Sequence, residues 1–323
     1  MHNTSPAEPL VTVVVATYNR AETLRYAIES ILWQTFKNFE VWIVGDACTD
    51  HTEKVVKSFT DPRINWYNLP KNSGYQSKPN NEGIKRARGK YIAYLNHDDI
   101  WLPNHLEALV NHIEKTQAHF AFSIIQWVYS FTYSRPDIPL LPDMPIPPEA
   151  TAVIHRKDVV NEIGYWKNIN ETYSYPRVDF FRQAQYKGMK FEIVPSVTGL
   201  KFLWDEKNYH DVGPQPLYME RLRNEPEFIN RELSAMLIRA EYSINSFPKG
   251  KRLIWIFTNP LRKMMLKMKM DPAMLKFWNK KGKQIRIWRK RHGLKENVED
   301  SSVNNTAIPT SHITVKKEPS LQN

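Results

Sequence analysis

The sequence predicts an α/β protein: a parallel sheet covered by helices on both faces, followed by a helical, basic C-terminal extension. Three observations carry this. Apolar β-branched runs of strand length recur through the N-terminal third. Segments with helical spacing separate them, as crossovers between parallel strands require. Charge is confined: residues 249–295 hold 16 Lys/Arg against Asp271 alone, a net of +15, whereas residues 1–248 sum to −2.

Val11–Ala16 reads as the first strand. Asn19 with Glu22 three positions on makes a capping-box pattern, and Leu24, Ala27, Ile28 and Ile31 then share one helical face. Glu40–Gly45 is a second strand, and Asp50 with Glu53 repeats the cap signal before Val55, Val56 and Phe59. Ile64–Leu69, Lys78–Arg88 and Tyr91–Leu95 read as strand, helix and strand. Six prolines from Ser134 to Pro148 break regular structure. Beyond them Ala152–His155 and Phe191–Phe202 read as strands, with a helix at Arg177–Gly188. Residues 215–247 are helical in pattern, and the polar stretch from Asn297 to Asn323 reads as a disordered tail.

With 323 residues and 41% hydrophobic content the chain can bury a real core. No apolar run approaches the roughly 18–20 residues of a spanning helix. MHNTSPAEPL lacks the features of a secretory signal. Cys48 is the single cysteine, which excludes a disulfide scaffold and a cysteine zinc site. The expectation is a cytoplasmic protein, and the near-neutral body gives no compositional support for nucleic-acid binding.

Ligands of such sheets bind beyond the carboxyl ends of the strands. That brings Thr17–Asn19, Asp46–Asp50 and Asn96–Asp99 around one crevice. Adjacent carboxylates at Asp98 and Asp99 repel one another, a cost that a divalent cation relieves; the competing reading is that they cap the helix near Pro103. Asp46 ends a strand where a ligand N–H could meet it. Asp179 opens an amphipathic helix, where the dipole alone favours an acid. His105, His112 and His119 recur every seven residues and read as an exposed face.

VTVVVATYNR, SILWQTFKNFEVWIVGDACTDHT and NSGYQSKPNNEGIKRARGKYIAYLNHDDIWLPNHLE together resemble the nucleotide-binding half of family 2 glycosyltransferases, from Val11 to Glu107 and more weakly to about Phe202. The resemblance implies a GT-A fold with a mixed sheet, a nucleotide-sugar donor, and Mg²⁺ or Mn²⁺ as cofactor. It implies that Thr17, Tyr18 and Asn19 lie against base and ribose and that Asp46 accepts from the base. Asn72, Gly74 and Lys78 fall in the loop over the nucleotide, and Asn81 lies near the base. Gly45 stands where the family carries a first aspartate, Asn80 where it often carries arginine, and Asn96 where it carries the first acid of Asp-x-Asp-Asp. Asp98 would contact ribose or metal, with Asp99 the favoured metal ligand. His155 and Arg156 match the acceptor-side segment, and Asp179 matches the general base of inverting members. Trp204 and Tyr209 are candidates to stack on sugar.

The implied organisation is an N-terminal tail (1–9), a nucleotide-sugar-binding half (10–133), an acceptor-side half (134–214), a helical segment (215–248), a basic amphipathic segment (249–295) and a tail (296–323). The basic segment interleaves Trp255, Met264, Met268 and Trp288 with Lys and Arg, as an interfacial helix on an anionic membrane does. The expected function is inverting, metal-dependent glycosyl transfer to a glycan or lipid-linked acceptor in bacterial surface-polysaccharide or lipopolysaccharide assembly, at the inner face of the cell membrane. The alternative is a non-catalytic nucleotide-sugar-binding protein with a membrane- or nucleic-acid-binding tail.

Overall fold

The structure, a computed structural model, describes residues 8–129, 134–137, 148–203, 212–234 and, farther on, 261, 264, 265, 267–271, 274, 281–291 and 294. Trp204, Tyr209, most of the expected membrane segment and the 296–323 tail lie outside the described residues.

Parallel strands β1 (Val11–Thr17), β2 (Phe39–Gly45), β3 (Ile64–Asn68) and β4 (Tyr91–Tyr94) form one half of the sheet. Helices α1 (Ala21–Leu32), α2 (Thr52–Lys57) and α3 (Ser77–Arg86) connect them. Past the two-residue strand β5 (Ile100–Trp101) and α4 (His105–Thr116), the sheet continues through β6 (Phe120–Tyr129), β7 (Ser134–Asp137), β8 (Val153–Arg156) and β9 (Phe191–Leu203). Helices α5 (Val160–Ile163) and α6 (Pro176–Tyr186) lie between β8 and β9. Among the described residues the strand order is β3-β2-β1-β4-β8-β6-β9-β5, with β7 on β6. β8 runs antiparallel to both β4 and β6, so the sheet is mixed. Helix α7 (Gln215–Asn224) lies against the β9 side, and α8 (Lys283–Arg291) is the last helix described.

Strand periodicity divides the core. Val13 and Val15 face Leu24, Ile28, Leu106 and Leu109, while Val14 faces Ile84, Ile92 and Phe120 on the other side. Both faces are covered, which is why β1 reads as an unbroken apolar run.

The two cap signals have different outcomes. α1 begins at Arg20 without a side-chain cap. Asn19 sits in the left-handed region (φ 47°), and its Oδ1 accepts from Thr49 N at 2.8 Å, tying the β1 and β2 loops together. Asp50 accepts from Thr52 N at 3.0 Å and Ala21 N at 3.4 Å, serving the starts of two helices. His105 departs from the exposed-face expectation: it is fully buried, stacked on Trp101 and bonded to Thr198 Oγ1 at 2.6 Å.

One buried acid crosses the sheet end distant from the cavity. Glu40 accepts from Thr12 Oγ1 at 2.8 Å, Arg88 N at 2.7 Å and Arg88 Nε at 2.9 Å. Glu40→Ala leaves these donors without an acceptor, and a loss of about 2 kcal/mol is expected in urea unfolding; a change below about 0.5 kcal/mol would show the network to be dispensable.

Candidate active site

The carboxyl ends of β1, β2 and β4 open onto a cavity of about 490 Å³. Its β2 side is organised by Asp46, which is 4% exposed. Ser73 N donates to Oδ1 at 2.8 Å and Gly74 N to Oδ2 at 3.0 Å, while Asn72 Nδ2 donates to the Asp46 carbonyl at 2.8 Å. Gly74 has a φ of 78°, a left-handed conformation that glycine adopts without strain. Burial raises the Asp46 pKa, and those N–H groups and Arg289 oppose it. Thr17 Oγ1, enclosed at the neighbouring strand end, bonds to no described group.

At the end of β4, adjacent carboxylates face different surroundings. Asp98 lines the cavity with Arg20 Nη2 at 4.0 Å. Burial works to raise its pKa, but His97, Lys201 and Arg20 hold it below the usual carboxylate range. Asp99 is fully buried behind it, accepting from Asn96 Nδ2 at 2.8 Å, from Thr151 Oγ1 and from Phe202 N at 3.3 Å, with Lys201 Nζ at 3.7 Å. The favoured metal ligand of the sequence reading is thus walled in by protein donors. Asp98 is the carboxylate that a cation in the cavity would meet. His97 turns Nδ1 toward Ala16 O at 3.2 Å, and burial pushes its pKa down to about 4, so it is neutral at pH 7.

The far wall is ionic. Lys201 Nζ lies 3.8 Å from Glu149, which pairs with Arg177 at 2.9 Å. Burial raises the Glu149 pKa, and Arg177 and Lys201 outweigh it, keeping the group ionised. Among the described residues, four bases on the cavity (Arg20, Arg177, Lys201, Arg289) stand with Asp46, Asp98, Glu149 and the underlying Asp99. A diphosphate would add negative charge to this site, and a divalent cation would offset it. Among the described residues no group of three or more His, Cys, Asp or Glu side chains could hold a metal. Asp98 supplemented by phosphate oxygens and water nevertheless fits the coordination habit of Mg²⁺.

Of the residues singled out by sequence, Thr17, Tyr18, Asp46, Asn72, Gly74 and Asp98 line this cavity. Asn19 is not among its lining residues. Lys78 and Asn81 line a separate cavity of about 380 Å³ with Trp166 and Lys167. There Asn81 clamps the Trp166 backbone, donating to its carbonyl at 2.9 Å and accepting from its N–H at 3.0 Å. His155 and Arg156 are not brought to the site. Because β8 is antiparallel to β4, they pair with Ile92 and Tyr91 at the beginning of that strand, the end opposite the cavity. His155 is fully buried, bonded to Tyr94 OH at 2.8 Å, and burial pushes its pKa down to about 4. Arg156 pairs with Asp158 at 3.0 Å. Asp179 lies one turn along α6 from the cavity-lining Tyr175, ion-paired to Lys167 at 2.9 Å.

Gly45 has a steric reason. A Cβ there would stand 2.5 Å from Asn68 Oδ1 and 2.6 Å from Trp66 Cη2. Asn68 fills the space, accepting from Cys48 N at 2.8 Å and donating to Cys48 O at 3.0 Å. An aspartate and this asparagine exclude one another.

Sequence reasoning missed Arg20, Glu149, Arg177, Lys201 and Arg289. Lys201 had a signal: a lysine inside the apolar run GLKFL is a buried charge in need of a partner. Glu149, after consecutive prolines, had none.

The glycosyl transferase family 2 model matches residues 12–193. The putative colanic acid biosynthesis glycosyl transferase WcaA of Escherichia coli is 30% identical over 163 residues, 49% of this chain and 57% of that one. The succinoglycan biosynthesis protein ExoO of Rhizobium meliloti is 34% identical over 170 residues, 50% of this chain and 48% of that one. The chain thus spans about half the length of these relatives. The crystal structure of S. aureus TarS 1–349 in complex with UDP-GlcNAc superposes with a TM-score of 0.51 at 22% identity, covering 65% of this chain and 63% of that one. The shared architecture is the GT-A fold. Since the family match takes in more than half the sequence, and with it the ends of β1, β2 and β4 at the cavity, the chain belongs to glycosyl transferase family 2.

Proposed function

We propose that this chain transfers a glycosyl group from a nucleoside diphosphate sugar to a hydroxyl of a glycan or lipid-linked glycan during assembly of a bacterial surface polysaccharide. The observation that carries the reading is the cavity at the strand ends, with Asp46 and Asp98 on it, in a chain of this family. The relatives named for colanic acid and succinoglycan biosynthesis support the acceptor class, and the neighbour holding UDP-GlcNAc supports the donor class.

In this reading Thr17, Tyr18 and Asp46 bind the nucleoside, and Asp98 and Lys201 face the diphosphate. Asp98 is the side chain that would hold Mg²⁺ or Mn²⁺, which would supply charge stabilisation to the departing diphosphate. Arg20 and Lys201 add fixed positive charge on the same side. Asp179 takes the proton of the acceptor hydroxyl as its oxygen bonds to the anomeric carbon. The carbon–oxygen bond to the diphosphate breaks on the opposite face, so the configuration inverts.

The nucleotide assignment is tested by melting with UDP, GDP, CDP or dTDP, each with Mg²⁺, Mn²⁺ or EDTA. One nucleotide at about 100 times its dissociation constant should add roughly 2.7 kcal/mol, and Asp98→Asn should remove the metal-dependent part. No stabilisation by any of them overturns the reading. Asp179→Asn should lower transfer by about two to four orders of magnitude with donor affinity unchanged. Should Glu149→Gln instead lose transfer selectively while Asp179→Asn retains it, the base is Glu149.

Membrane association rests on a separate surface. No helix among the described residues is long and apolar enough to cross a membrane. Leu261, Met264, Met268 and Ile287 are nevertheless 43%, 51%, 60% and 44% exposed among basic residues, the composition of an interfacial contact at the inner face of the cell membrane. Joint Met264→Asp and Met268→Asp substitution should abolish co-sedimentation with anionic phospholipid vesicles. Undiminished sedimentation would remove the membrane from the proposal.

A further inference from the structure

We infer that the C-terminal segment completes the donor site: Arg289 on α8 contacts the nucleoside end of the bound nucleoside diphosphate. The inference rests on the donor reading above and adds to it a residue far outside the family match, which ends at residue 193.

The segment is anchored before it reaches the cavity. Asp271, the single acid among the basic residues, pairs with Arg182 Nη1 at 2.7 Å and accepts from Ser174 Oγ at 2.9 Å. Tyr186 OH donates to Met270 O at 3.4 Å, and Gly282 N donates to Thr172 O at 3.2 Å. These contacts fix the approach of α8 along the surface formed by residues 172–186. On α8, Ile287 and Lys290 are exposed, but Arg289 is 7% exposed. Its Nη1 donates to Gly74 O at 2.9 Å, and its charge acts on Asp46. Arg289 and Leu294 both line the cavity.

Position within the cavity selects the part of the ligand. Gly74 and Asp46 belong to the β2–β3 side, together with the enclosed Thr17 hydroxyl at the end of β1. Asp98 and Lys201, which face the diphosphate, stand at β4 and β9. Arg289 is therefore set over base and ribose. A planar guanidinium suits that place, because it stacks on a ring face and donates in its plane. Its hold on Gly74 O also ties α8 to the loop whose N–H groups organise Asp46. Donor binding and docking of α8 are then linked, each favouring the other.

The test uses the full chain and whichever of UDP, GDP, CDP or dTDP stabilises it most, with Mg²⁺, read by calorimetric affinity and by hydrogen exchange over residues 283–291. Arg289→Ala should weaken the nucleotide by about tenfold to hundredfold. Arg289→Lys, which keeps the charge but not the plane, should fall between, and Lys290→Gln should bind as wild type. Nucleotide should slow exchange across α8 in the wild type and not in Arg289→Ala. Inorganic pyrophosphate with Mg²⁺ should bind wild type and Arg289→Ala alike; a parallel loss would move Arg289 to the diphosphate and overturn the nucleoside assignment. Wild-type affinity in Arg289→Ala, or α8 exchange indifferent to nucleotide, overturns the inference while leaving the donor reading intact. A wild type that binds none of the nucleotides overturns the donor reading and the inference with it.

Discussion

Lys201 stands between two carboxylates, Asp99 at 3.7 Å and Glu149 at 3.8 Å, and Glu149 is held in turn by Arg177 at 2.9 Å. This chain of charge joins the end of β4, the strand β9, the segment before β8 and the start of α6. Removing Lys201 leaves the buried Asp99 without its cation, a cost well above that of a surface pair. The cavity wall is consequently fixed before any ligand arrives. Among the described residues the acids and bases of this wall are matched in number, so a bound diphosphate would add negative charge to it.

Asp98 and Asp99 show how neighbouring residues of one type divide the work. One carboxylate is enclosed and spent on Asn96, Thr151 and the Phe202 backbone, holding the turn after β4 against β9. The other stays on the cavity beside Arg20. Asp46 combines both duties, since two backbone N–H groups bind it while it still lines the cavity. Asn68 illustrates the opposite solution, a side chain occupying the space of an aspartate that Gly45 has given up.

Much of the fold was legible because parallel strands covered on both faces need continuous apolar runs, and VTVVVAT and EVWIVG supply them. The parts that were not legible share a cause: they depend on pairing between distant segments. His155 and Arg156 have the right chemistry for an acceptor site, but antiparallel pairing of β8 with β4 carries them to the wrong end of the sheet. Asn19 has the spacing of a helix cap but binds the β2 loop instead, and Asp50 serves the start of α2 as expected while also reaching the start of α1 across the chain. His105 belongs to a polar-looking heptad spacing, and only the packing of α4 on β9 makes it a core residue bonded to Thr198.

The basic segment is the instructive remainder. Its +15 suggested a single electrostatic role, and the described residues divide that charge among different environments. Asp271 against Arg182 docks the segment on the catalytic domain. Arg289 is drawn into the cavity, where Asp46 and the Gly74 carbonyl offset the cost of burying it. Lys267 and Lys269 are exposed, on either side of the exposed Met268. A net charge summed over a segment cannot distinguish these fates, because burial and pairing, not composition, decide what each charge does.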